Sequence, residues 1–141
     1  MKSLLLDNKI LRDRYQIIGR IAADPGEESF VARDLRTKDG AVMIRAAFLT
    51  DPRSTAKPSG RFTSETEVAG AVSHPHIVAF IDHGTATDGK GRDYEFLVYE
   101  YLPGGDITAH GRRMVTGQIS LHETARLIEQ ASAALDHTHR L

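Results

Sequence analysis

"RIAADPGEESFVARD", Arg20 to Asp34, reads as two strands folded back on each other. "RIA" enters, "SFVARD" leaves, and "DPG" between them is turn chemistry. A strand–turn–strand this early in a chain is often a plain hairpin. It can also lie over a nucleotide and cradle its phosphates, a task that needs glycines so that backbone N–H groups approach the oxygens closely. This stretch offers one glycine, Gly26, and acids at Asp24, Glu27 and Glu28.

On either side of the hairpin the strand pattern continues. "YQIIGRIA" (Tyr15–Ala22), "ESFVARD" (Glu28–Asp34), "AVMIRAAF" (Ala41–Phe48), "IVAFIDHG" (Ile77–Gly84) and "EFLVYEY" (Glu95–Tyr101) are rich in β-branched and aromatic residues. "DPG", "TKDG" and "TDGKGRD" separate them, and such short connections predict antiparallel pairs. One helix interrupts the strands. "RFTSETEVAGAVSH" (Arg61–His74) follows the loop "DPRSTAKPSG", puts Phe62, Ala69 and Val72 on one face, and stops where His74 precedes Pro75.

After the last strand, "LPGGDI" is a break, and a short polar stretch leads to "SLHETARLIEQASAALDHTHRL". Ser120 and Glu123 there read as a capping box. Leu121, Ala125, Ile128 and Leu135 line one side of this helix, with Leu127, Ala131 and Ala134 beside them. Strands come before helices, which predicts α+β rather than an alternating α/β fold.

Composition narrows the function. The 141 residues suit a hydrophobic core of useful size, and a net charge of −1 without a basic stripe argues against a nucleic-acid surface. There is no cysteine, hence no disulfide or thiolate chemistry. The longest apolar run near the start, Leu4–Leu6, is too short for a signal peptide or membrane span, so a soluble, cytoplasmic domain is the expectation.

Two charged residues stand out. Glu65 lies three residues after Phe62 and four before Ala69, which places a carboxylate on the apolar side of its helix. Charge there is costly unless paired. Arg45, inside the apolar "AVMIRAAF", is the cation the neighbouring strand offers. The alternative is that both point separately to solvent. His137 and His139 do not share a helix face, and His74 with His76 fits a helix-stop junction, so no metal site is expected from either pair.

These residues, in this order, resemble the amino-terminal part of a protein kinase domain of the bacterial serine/threonine type, over Tyr15 to Leu141. "VARD" with "TKDG", "VMIR" in place of V-A-I-K, "RFTSETEVAGAVSHPHIVAFIDHG", "EFLVYEYLPGGDI" and "ISLHETARLIEQASAALDHTHRL" carry the likeness. The resemblance implies a five-stranded antiparallel sheet with helix C, a hinge, and then helices D and E. Residues 1–14 become an extension, 15–102 the amino-terminal lobe, and 103–141 the start of the helical lobe.

The resemblance also implies a site, and the chain departs from it. The family's phosphate loop is G-x-G-x-x-G, and its three glycine positions hold Ala22, Asp24 and Glu27. Arg45 stands for the lysine that pairs with the helix glutamate, here Glu65; it keeps the charge but not the phosphate geometry. Acids at the tip would repel a triphosphate, unless they form an ordinary solvated hairpin end. Tyr99, Glu100 and Leu102 fall at the hinge and adenine cleft, with Tyr99 at the gatekeeper position.

No H-R-D or D-F-G motif occurs, so no catalytic residue is assigned. A non-catalytic, pseudokinase-type regulatory or scaffolding module is the leading reading, with ATP binding weak or absent. The alternative is the front of an ATP-dependent kinase. A protein partner, self-association or further chain is expected to cover helix E.

Overall fold

A computed structural model describes residues 9–24, 26–38, 40–49 and 63–141, the side chains of Thr63 and Ser64 excepted. In chain order the elements are β1 (Ile10–Leu11), β2 (Tyr15–Asp24), β3 (Glu27–Asp34), β4 (Gly40–Phe48), α1 (Thr63–Ala69), β5 (Phe80–Thr87), β6 (Asp93–Glu100), α2 (Ile107–Arg112) and α3 (Leu121–His139). They fall into two compact units. The first runs to Ala71 and resumes over Phe80–Tyr101; the second is Val72–Ala79 with Leu102–Leu141.

Period-two alternation builds the first unit. In β3, Glu28, Phe30, Ala32 and Asp34 are buried between less buried neighbours, and β4 repeats the pattern with Val42, Ile44 and Ala46. All strand pairs are antiparallel, in the order β1-β2-β3-β4-β6-β5. This is the α+β, kinase-like architecture expected, with a sixth strand. β1 pairs Ile10 with Gln16 inside the stretch read as an extension, and two residues are too few to show a period.

The sheet curls. Tyr15 Oη donates to Asp82 Oδ2 at 2.8 Å, joining β2 to β5, which are not neighbours in the sheet. The enclosed face holds the main core, including Tyr15, Ile17, Phe30, Ile44, Phe96 and Val98, each no more than 1% exposed. Ala47, Leu97 and Tyr99 form a second, smaller cluster with Met43 and Phe80 packed against it.

Two boundaries differ from the sequence reading. The helix expected over Arg61–His74 ends at Ala69, where Gly70, a poor helix former, bonds back to Thr66 O. Val72 therefore lies beyond the helix, and Arg61 and Phe62 lie outside the described residues. The next strand begins at Phe80 rather than Ile77, because the chain after Pro75 first turns, with Ile77 N–H donating to His74 O.

In the second unit, Ser120 Oγ accepts the Glu123 N–H at 3.2 Å and caps α3. The Glu123 carboxylate goes to His110 Nε2 on α2 at 2.7 Å, so the capping box is made by one half and the other half ties two helices together. The His74 ring sits against His76 and His137, centroids 5.6 and 5.1 Å away. No helix among the described residues is long and apolar enough to cross a membrane.

Candidate functional site

Arg45 lies opposite Ser29 on β3 and Leu97 on β6, on the sheet face shared with Met43 and Ala47. Its Nη1 donates to Glu65 Oε1 at 2.5 Å, reaching from β4 to α1. Its Nε donates to Glu27 Oε1, also at 2.5 Å. Tyr99 Oη donates to the same Glu65 oxygen that Arg45 uses. Four side chains from β3, β4, α1 and β6 thus form one connected cluster.

Strand register explains why Glu27 reaches this site. Ser29 faces Arg45, so Glu27, two residues earlier, is its diagonal neighbour on the same face, within reach of long side chains. Alternation sends Glu28 to the other face, where it is buried and its Oε1 lies 3.7 Å from Arg20 Nη1. Asp24, paired with Glu27 across the tip, stays exposed.

Burial works against the Arg45 charge, but the hydrogen bond and charge of Glu27, then the charge of Glu65, outweigh it and hold the guanidinium above its ordinary range. Tyr99 is pushed up to about 12, first by burial and then by its hydrogen bond to the Glu65 carboxylate, so the phenol stays a donor. Its ring is 7% exposed and meets Phe80 edge-on at 5.6 Å.

The three acids at the hairpin do not act together. A solvated tip describes Asp24, but Glu27 is drawn onto Arg45 with 15% of its side chain exposed, and Glu28 faces away. Ala22 is exposed and pairs with Ser29. Glu100 follows Tyr99 on the opposite side of β6, and Leu102 lies past the strand in the second unit. The Glu27–Arg45 contact was missed by sequence reasoning. Pairing Ser29 with Arg45 would have exposed it, but that register depends on where the connection between Asp34 and Gly40 closes β3 against β4.

Closure is tight. Ladder pairs run through Ala22↔Ser29, Ala23↔Glu28 and Asp24↔Glu27, so the ladder reaches the last residue of β2 and the first of β3, with Pro25 and Gly26 between them in the sequence. Gly26 has φ 81°, the left-handed region that favours glycine. Proline has no N–H to give. A cavity of 630 Å³ lies elsewhere in this unit, lined by Arg12, Glu67, His83, Glu95 and Phe96 among others, and contains none of the expected site residues. Its lining mixes Arg12 and His83 with Glu67 and Glu95.

No protein-family model matches the chain. Among curated proteins, the serine/threonine-protein kinase PknB of Mycolicibacterium smegmatis is 35% identical over 133 residues, and PknB of Mycobacterium tuberculosis 34% over 133. These alignments take in 92% of this chain and 20% of each relative, so the chain spans about a fifth of their length. The solved kinase domain of Mycobacterium tuberculosis PknI superposes with a TM-score of 0.66 at 20% identity, and a mutant of it with 0.67 at 21%. Each covers 94% of this chain and 51% of the solved one. That likeness is one of fold.

Proposed function

We propose that this chain, which carries the amino-terminal lobe of a bacterial-type serine/threonine protein kinase domain, works without phosphoryl transfer, as a cytoplasmic signalling module of the pseudokinase type. The observation that carries this reading is the closed hairpin. A phosphate cradle needs successive backbone N–H groups free to converge on oxygen. Here the ladder runs to Asp24↔Glu27, and the sequence between them includes a proline, which has no N–H. Side chains stand where the family has glycine. Arg45, Glu65 and Tyr99 then serve as a strut between sheet and helix, which supports a retained shape rather than a retained reaction.

Radiolabelled ATP with a generic protein substrate tests this. The expected result is no transfer, and ATP binding that is weak and independent of Mg²⁺. Transfer that survives purification and is lost in Arg45→Ala overturns it. A second reading, the front of an active ATP-dependent kinase, is favoured by the 35% identity to a kinase of which this chain spans 20%. Joining the coding sequence downstream of Leu141 and repeating the assay separates the two. Under either reading we place a protein contact, a second copy or further chain on α3, whose Leu121, Ile128 and Leu135 are exposed.

A further inference from the structure

We propose that Glu27 is a built-in ligand of Arg45, a carboxylate that latches the hairpin tip over β4 and bars oxyanions from the guanidinium. This deepens the non-catalytic reading and rests on it. A strut between β4 and α1 needs one carboxylate, and Glu65 provides it at 2.5 Å. Glu27 is a second, on Nε, also at 2.5 Å. Among the described residues two carboxylates meet this one guanidinium, and Tyr99 adds a donor to Glu65.

The contrast with Asp24 identifies the contact as specific. Both acids are paired at the hairpin tip, yet Asp24 is exposed while Glu27 is drawn in. Sequestering a glutamate costs desolvation and rotamer freedom, and a charge-assisted bond to Arg45 offsets that cost. An incoming phosphoryl or carboxylate group must displace Glu27 to reach the same nitrogens and meets the repulsion of Glu65 as it does so.

Calorimetric titration of the whole chain with metal-free inorganic pyrophosphate is the test. Glu27→Gln, which keeps the shape and removes the charge, is expected to bind about tenfold or more tightly than the unaltered chain, a difference of about 1.4 kcal/mol. Adding Arg45→Gln to it should abolish the gain. Equal binding by the unaltered chain and Glu27→Gln overturns the proposal, as does a gain that survives loss of Arg45. Phenylglyoxal modification of the unaltered chain, mapped by mass spectrometry, gives a second reading that needs no variant to fold. Arg45 should react more slowly than Arg126, whose side chain is 61% exposed, and equal rates overturn the latch. Phosphoryl transfer by the unaltered chain would overturn the non-catalytic reading instead, which keeps the two failures distinct.

Discussion

Arg45 and Asp34 show how one side chain's surroundings set its charge. Arg45 was legible as an isolated cation in an apolar strand, but its second carboxylate was not, because Glu27 reaches it only through strand register. Asp34 is the clearer electrostatic case. Arg14 Nε and Nη2 donate to its two oxygens at 3.0 and 2.8 Å, and Arg36 N–H adds a third bond. The Arg14 hydrogen bonds, opposed by burial and helped by the Arg36 N–H, hold this carboxyl below its usual range. A depressed carboxylate contributes stability that is present above its unfolded pKa, about 3.9, and lost as pH falls through the folded value. Asp34→Asn is therefore expected to cost about 2 kcal/mol near neutral pH. Urea midpoints should show that penalty shrinking below about pH 4; a penalty that stays constant down to acid pH would mean the carboxylate's charge is not what matters.

The β2–β3 hairpin decides what the strand and helix elements can do together. The register of β3 against β4, through Asp34↔Gly40 and Ser29↔Arg45, brings Glu27 to Arg45, and Gly26 at φ 81° closes the β2–β3 tip beside it. A side chain there costs about 1–2 kcal/mol in the left-handed region. Gly26→Ala should lower unfolding stability by that amount, read as a lower urea midpoint, and speed amide exchange at Asp24 and Glu27, while leaving α3 unchanged. An unaltered midpoint would show that the tip relaxes freely. The helix that carries Glu65 is short, Thr63–Ala69, so the strut to Arg45 and Tyr99 is a large part of what anchors it.

For the molecule as a whole, the second unit is under-covered. Leu121, Ile128 and Leu135 on α3 are 86%, 61% and 58% exposed, and Ala134 is the buried residue of the helix. Covering each large side chain would recover about 1.5–3 kcal/mol. Sedimentation of the chain is expected to show self-association that Ile128→Asp with Leu135→Asp abolishes, with the far-ultraviolet spectrum retained. A stable monomer whose α3 amides are strongly protected would show that the stripe needs no cover.

Local chemistry was enough to reveal much of this protein. Enrichment in β-branched and aromatic residues between turn signals predicted the strands of the antiparallel sheet, Ser120 marked the start of α3, and Glu65 on an apolar helix side announced a partner. Those features depend on neighbours a few residues apart, where periodicity and capping act. What sequence could not supply was β1, too short for any period, the early end of α1 at Gly70, and the division of three adjacent acids among three fates. Asp24 faces water; Glu27 takes Arg45 while Glu28 turns to Arg20, because one residue of register sends a side chain to the opposite face of a sheet. Register is a property of strands meeting across the fold, so it was settled by the sheet as a whole and not by the fifteen residues that carry the acids.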